Sequence, residues 1–567
     1  MKKQYQPQWI ERPPQPGTYR SIFKYGSPEE FKHPSPRLIA LLKQRLNLSE
    51  ADLAQPQYTG EETVEISSPT PLDHKHIQWF IKTCGAQNVS TIEYDRLKFS
   101  TGKTLEEAWM LRQKQIPPIT DLVVHPRNKH EIAQITAYCN QHHIPVYVYG
   151  GGTSVTLGLT PEKGGVTLVL STHMNKILEI NETNQTVRVQ AGMFGPDFEH
   201  QLNYAPAYFG TKHSYTCGHF PQSFEYSTVG GWFITLGSGQ ESSYYGDAAD
   251  LVLAIEVITP RGTIKTLDYP AAATGPKILD IFKGSEGSFG IITELTWKIT
   301  RFMPQNRQYF SFLFPSWQAA VEAMREISQG QFGMPAVMRI SDPEETNFGF
   351  ELYGINNTPV DKLAALRGYK PMKRALFIGT ATGEKKFARN IKQQVKKICH
   401  RYGAMSLSAI PAKRWEHSRY KDPYLREDLM DYGIQIDTLE TSVKWDNLHT
   451  VHARVRDFVL RHPNVLIMSH SSHFYTSGTN LYFIFLSRKK DLNEYINFHR
   501  SIIDIIVDSG GTPSHHHGIG RMMRPWIEKH LGTRQMDVLR CLKNHFDPNN
   551  IMNPGVIGLG MDAQNSA

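Results

Sequence analysis

Apolar positions along this chain change their period more than once. Leu38, Leu41, Leu42 and Leu46 share one helical face behind Pro34-Ser35-Pro36. The flanks of that helix differ: residues 1–30 are Pro-rich and read as an irregular lead-in, and residues 50–75 are polar and loop-like. Residues 94–112 read as a loop followed by a helix. From Asp121 the apolar runs become short. Residues 122–124 predict a strand, 129–143 a helix with Ile132, Ile135 and Cys139 inward, and 146–149 a second strand. That is a β-α-β unit. Strands are expected at 166–170, 177–180, 186–190, 251–259 and 291–297, with a helix at 194–202. Beyond about residue 303 longer helices (316–328, 384–401, 445–460) separate extended runs at 336–340, 376–380, 434–441, 465–469 and 480–486. The whole reads as α+β, with an antiparallel sheet in the second half.

The strand at 146–149 runs into Gly150-Gly151-Gly152-Thr153-Ser154. Glycines admit positive φ and close approach, so successive N–H groups there can form an anion nest. A pyrophosphate suits such a nest, and a ligand-free turn suits the same residues. Two more glycine stretches follow, Ser227-Thr228-Val229-Gly230-Gly231 and Gly284-Ser285-Glu286-Gly287-Ser288-Phe289-Gly290. The first reads as a helix start with free N–H groups for a second phosphate.

Charge and cysteine content exclude several classes. The 62 basic and 54 acidic residues leave +8 without a concentrated basic stripe, so nucleic acid is not expected. Five cysteines with no CxxC pair point to a reducing compartment. Residues 1–17 lack the apolar core of a signal peptide, no apolar run reaches membrane-helix length, and no peroxisomal tripeptide ends the chain. A cytoplasmic protein is expected, with peripheral membrane contact and a homodimer left open.

In this order the glycine stretches, with Pro221-Gln222-Ser223, Tyr245-Gly246 and Gly290-Ile291-Ile292-Thr293, resemble the flavin-binding domain of the vanillyl-alcohol oxidase superfamily. Within it the chain is similar to the alkyldihydroxyacetonephosphate synthase branch. The likeness includes Cys217-Gly218-His219, Thr274-Gly275-Pro276, the segment around Arg339, and Arg426 fourteen residues before Glu440-Thr441-Ser442. It extends to Tyr482 in an apolar strand and Ser514-His515-His516-His517-Gly518. Phe220 and Gln222 depart from that branch, which has acidic residues there.

The resemblance implies a PCMH-type FAD-binding domain of two subdomains (116–303) and an antiparallel-sheet cap domain (304–510). An N-terminal segment (1–115) precedes them, and a C-terminal segment (511–567) packs back on the FAD domain. It implies noncovalent FAD, held by Gly150, Gly151, Gly152, Thr153, Ser154, Pro221, Ser223, Thr228, Gly230, Gly231, Glu286, Gly290 and Ile292. Arg426 and Arg339 are expected to bind substrate, each with a structural salt bridge as the alternative. Tyr482 is expected as acid/base, with His515, His516, His517 and His219 managing protons. The implied reaction is redox-neutral: acyl-dihydroxyacetone phosphate loses a C1 proton and its carboxylate, and a fatty alcohol takes the carboxylate's place. A neighbouring branch oxidises D-2-hydroxy acids and binds a metal through two histidines and a glutamate. Here Tyr482 replaces the second histidine and His516 the glutamate, so no metal is expected. Oxidation of a hydroxy acid remains the alternative activity. If the triple histidine is extended, His515 and His517 share a face and His516 opposes them.

Overall fold

The computed structural model describes residues 13–66 and 69–561. Two halves meet across a cleft. In the first, the strands Val89–Ser90, Leu122–Val124, Val166–Val169 and Val146–Tyr149 form one sheet in that order, the last three parallel. The β-α-β unit is present, but its two strands flank Val166–Val169 instead of pairing directly. The helix between them, Lys129–His142, is capped by Asn128. Beside this sheet lies an antiparallel one, ordered Ile177–Asn181, Thr186–Gln190, Ile291–Lys298, Val252–Thr259, Gly262–Lys265. Its central strands are almost wholly buried, as apolar runs covered on both faces must be.

The second half is a seven-stranded antiparallel sheet. Its order is Met405–Leu407, Gln308–Phe314, Ala375–Ala381, Val337–Ser341, Val465–Ser471, Gly478–Ser487, Gln435–Lys444. Helices Trp317–Gln329, Lys385–Arg401, Leu448–Leu460 and Leu492–Asp508 belong to the same half and pack in its core. Directly opposed residues of an antiparallel pair share a face. His470 opposes Tyr482 and Tyr482 opposes Glu440, so these three side chains share the face of the sheet that looks toward the cleft.

The C-terminal residues return to the first half. Val146 N–H donates to Ile551 O at 2.7 Å, and Phe546, Ile551, Met552 and Val556 join that half's core. The N-terminal lead-in is less irregular than its composition implies. Tyr19–Phe23 is a helix, capped by the Thr18 hydroxyl, with Arg20 buried in an ion pair to Asp431 at 3.0 Å. The 94–112 stretch, expected as a loop followed by a helix, begins instead with a helix, Glu93–Lys98, ahead of the helix Leu105–Arg112. The first twelve residues of the lead-in lie outside the described residues.

Candidate active site

A cavity of about 370 Å³ lies between the halves. Gly150 to Ser154 form one wall, with Pro221, Ser223, Thr228, Gly230, Gly231, Glu286, Gly290 and Ile292. The opposite wall comes from the cap sheet and the histidine loop: Arg339, His470, Tyr482, His473, His516 and His517. Arg426, Lys103 and Tyr25 also line it.

The glycine wall has the features a pyrophosphate requires. A Cβ on Gly150 would lie 2.3 Å from Thr228 Oγ1, and one on Gly151 would lie 2.0 Å from Tyr226 O. Among the described residues, no acceptor of the chain takes the backbone N–H groups of Gly151, Gly152, Thr153 and Ser154. Unpaired donors on a Cβ-free surface fit an anionic cofactor. At the expected second phosphate site only part of the helix start is free, since no acceptor among the described residues takes the N–H of Gly231. At the start of helix Val229–Ile234 the N–H groups of Val229 and Gly230 are spent on Met193 O and Ala191 O, both at 2.9 Å.

The triple histidine is bent, not extended. The Glu440 carboxylate accepts from Ser514 Oγ (2.6 Å) and from the N–H groups of His515 (2.6 Å), His516 (3.2 Å) and His517 (3.0 Å). Gathering three successive N–H groups on one carboxylate curls the segment, so His516 and His517 line the cavity and His515 stands behind them. Against the upward push of burial, the three imidazoles and the Ser514 hydroxyl hold the Glu440 carboxyl well below the usual range. Further along, Glu286 accepts from Ile519 N–H (2.6 Å) and Gly520 N–H (2.9 Å). Glu286 therefore orients the histidine loop and lines the cavity at once.

His515 leads away from the cleft. Its Nδ1 is 3.0 Å from His516 Nδ1, its Nε2 is 2.8 Å from the Tyr475 hydroxyl, and that hydroxyl donates to Asp247 at 2.8 Å. His473, His515 and His516 each offer a nitrogen within 4.8 Å of the others, a spacing that a metal ion would also accept. Both His515 nitrogens have partners, which links His516, His515, Tyr475 and Asp247 in one hydrogen-bonded chain. Burial pushes His473 and His516 well below their ordinary value and lowers His515, leaving neutral acceptors.

Tyr482 donates to Thr438 Oγ1 at 3.1 Å, and its ring stacks on His470 at 4.9 Å. Burial pushes its phenol up, so it stands protonated. Arg339 reaches the His470 nitrogens at 3.1 Å and Glu345 at 2.5 Å. Burial pushes Glu345 up, but Arg339 and His470 outweigh it and hold the carboxyl down at about 2. Arg426 donates to Lys103 O at 2.5 Å and Phe23 O at 3.3 Å, with Glu427 Oε1 at 3.4 Å. Its side chain is therefore fixed before any substrate arrives.

His219 is the expectation the structure corrects. It is fully buried, away from the cavity wall, with its ring 4.8 Å from Trp232 and 5.8 Å from Trp297. Neither ring nitrogen has a partner, and burial pushes it down to about 3. It packs as a neutral core residue. Phe220 and Gln222 face Arg419: its guanidinium lies 4.8 Å from the Phe220 ring, and Gln222 donates to its carbonyl at 2.6 Å.

Sequence reasoning missed Lys103, Tyr25, His470, Glu345 and the loop-holding role of Glu440. Lys103 Nζ donates to Ile22 O, and burial, then Arg426, push it down to about 7. Affinity of the cavity for a phosphate monoester should accordingly fall as pH rises past about 7, as Lys103 loses its proton. Titrating flavin absorbance with such an ester across pH, in wild type and Lys103→Met, checks this; the substitution should flatten the fall. Glu440→Gln should keep the flavin and lower turnover by about tenfold or more, since a carboxylate accepting four bonds is replaced by an amide. Absorbance and rate measured on one preparation separate the two effects.

The comparisons agree with this geometry. Residues 120–268 match the FAD binding domain family, and residues 303–557 match the C-terminal domain of FAD linked oxidases. The alkyldihydroxyacetonephosphate synthase of Dictyostelium discoideum is 32% identical over 478 residues, covering 81% of this chain and 76% of its own. The chain belongs to the alkyldihydroxyacetonephosphate synthase family. The synthase of Trypanosoma brucei brucei is 29% identical over 520 residues, covering 88% and 83%. A solved alkyldihydroxyacetonephosphate synthase superposes with a TM-score of 0.77 at 29% identity, over 92% of each chain. The α+β arrangement of FAD domain and cap is thus that of the synthase family, and its cofactor is FAD.

Proposed function

We propose that this chain exchanges the acyl group of an acyl-dihydroxyacetone phosphate for a fatty alcohol, forming an ether-lipid precursor. The observation that carries the reading is the meeting, in one cavity, of the glycine cradle, Tyr482, the neutral histidines and the cations Arg426 and Arg339. When bound, FAD supplies an electrophilic ring able to engage a carbanion without net oxidation. Nothing is needed from the chain to attach it covalently, since Thr153 stands in the loop beside the cradle.

The residues divide the remaining work. Arg426, with Lys103 beside it, offers charge-assisted donors to the phosphate. Arg339 sits in the cap wall, oriented by Glu345, where it can stabilise negative charge developing on the carbonyl oxygen. A neutral imidazole of the loop takes the C1 proton and returns it once the alcohol is attached, and protonated Tyr482 donates to the departing carboxylate and is re-protonated by the incoming alcohol. The chain His516–His515–Tyr475–Asp247 holds that proton until C1 takes it back. A lipid substrate fits this role; a homodimer would not alter the chemistry, because every residue named comes from one chain.

Purified holoenzyme, incubated with acyl-dihydroxyacetone phosphate and a long-chain alcohol, should yield the ether-linked ketone and free fatty acid with no lasting flavin bleaching. Rapid bleaching by D-2-hydroxy acids, with no ether formed, would replace this reading with the oxidase one.

A further inference from the structure

The described lead-in ends against the cavity. Helix Tyr19–Phe23 has five residues, too few to hold together alone in water. The Thr18 hydroxyl fixes its start, accepting from Ser21 N–H at 3.3 Å and donating to Gln15 O at 2.7 Å. Arg20 fixes its flank. Its guanidinium donates to both Asp431 oxygens, at 3.0 and 3.1 Å, and to Thr59 O at 2.6 Å. Arg20 and Asp431 are both almost fully buried. A guanidinium fork on a carboxylate is geometrically specific, and removing one buried partner leaves the other uncompensated.

The last two carbonyls of this helix meet the cations of the cavity. Ile22 O accepts from Lys103 Nζ, and Phe23 O accepts from Arg426 Nη2 at 3.3 Å. Lys103 is itself a junction. Its carbonyl accepts from Arg426 Nη1 at 2.5 Å, and its N–H donates to Ser154 O, at the end of the glycine cradle, at 2.6 Å. Both cations thus take their direction from main-chain oxygens. A main-chain oxygen orients a cation without cancelling its charge.

Behind them the charges are unequal. On helix Leu425–Asp431, Glu427 and Asp431 lie four residues apart and share a face. Three guanidiniums share those two carboxylates. Arg20 takes Asp431, Arg112 donates to Asp431 and to Glu427 Oε2 at 3.2 Å, and Arg426 Nε stands 3.4 Å from Glu427 Oε1. The excess positive charge falls to Arg426, which lines the cavity beside Lys103. We infer that helix Tyr19–Phe23 is the positioning element of a phosphate subsite: Arg20, clamped on Asp431, holds the Ile22 and Phe23 carbonyls where they aim Lys103 and Arg426 at a phosphate in the cavity. Arg20 stands behind the wall and is a positioning residue, not a catalytic one. The inference rests on Arg426 being the phosphate donor of the reaction proposed above.

The test reads dihydroxyacetone phosphate binding from the flavin absorbance of the full-length holoprotein, with alkyl-exchange kinetics beside it. Arg20→Met should weaken the ester about tenfold, the order of one hydrogen bond to a charged group. KM should rise in step while kcat stays near that of wild type, as when binding shared by ground and transition states is lost. The pH profile separates positioning from bulk stability. Lys103 is faced by Arg426 and Glu427 from the cap helix, by Glu107 from Leu105–Arg112 and by Lys98 from Glu93–Lys98. A loosened helix Tyr19–Phe23 admits water to the ammonium, and hydration raises its midpoint. The pH at which ester affinity falls should therefore climb from about 7 in Arg20→Met and come part of the way back in Arg20→Lys. Retained flavin and a cooperative melt above the assay temperature verify folding. If Arg20→Met fails them, Thr18→Val, which removes only the cap hydroxyl, takes its place with the same two shifts at smaller size. Wild-type affinity and pH midpoint in the folded variant, with the ester bound weakly by Arg426→Met, would overturn the inference and leave the phosphate reading standing. Wild-type ester binding by Arg426→Met would remove the phosphate reading and the inference with it.

Discussion

Tyr482→Phe is expected to keep its flavin and lose turnover by about 10² to 10⁴, the range a positioned proton-transfer group contributes. The ring itself should stay in place. It stacks on His470 and lies in a strand paired on both sides, so removing one oxygen leaves the packing intact. What goes is the hydroxyl, which Thr438 orients and which burial keeps protonated. Alkyl-exchange rates beside flavin absorbance at equal protein concentration check the result. Unchanged turnover would remove Tyr482 from proton transfer and pass the task to the loop imidazoles. A matched loss of flavin would show instead that the hydroxyl supports the fold of the cavity.

Gly151→Ala should give a folded protein that cannot retain FAD. The added methyl would sit 2.0 Å from Tyr226 O, a backbone atom that cannot swing aside as a side-chain tip can. The cradle must therefore open, and the N–H groups beyond it lose their common focus. Gly150→Ala meets a hydroxyl at 2.3 Å, which has some freedom to turn, and should be milder. Flavin-to-protein absorbance ratios after purification, with added FAD in a second sample, measure the difference. Stoichiometric FAD in Gly151→Ala would remove this loop from the cofactor site.

The flavin side of the cleft was readable because its demands are local. Three glycines in a row state a backbone requirement that needs no distant partner, and the strands that carry them repeat their pattern within a few residues. The β-α-β unit forms as read, and what local pattern does not state is the insertion of Val166–Val169 between its two strands. Helix Tyr19–Phe23 was not readable. Five residues hold no periodic signal, and Arg20 finds its carboxylate 411 positions away. His219 failed for a similar reason. Motif order places it near the flavin in sequence, but Trp232 and Trp297 determine which way its ring points. Lys103 sits in a segment without a motif of its own, and Glu440 enters the sequence reading only as a spacing mark for Arg426; chain crossing brings the first to the cavity and sheet register sets the second under the histidine loop.

The histidine loop has two anchors of different origin. Glu440 belongs to the cap sheet and Glu286 to a glycine turn of the FAD half, and each holds one end of the same short segment through backbone N–H groups. The loop is thus strung between the two halves like a tie. A hydrogen bond weakens steeply once its atoms part by half an ångström or so. Any hinge motion that opens the cleft wide enough to admit a long substrate must slacken one anchor and displace the imidazoles. In the reaction proposed above, proton transfer is thereby available only with the halves closed, which guards the bound flavin's chemistry against water and stray proton donors while the cleft stands open.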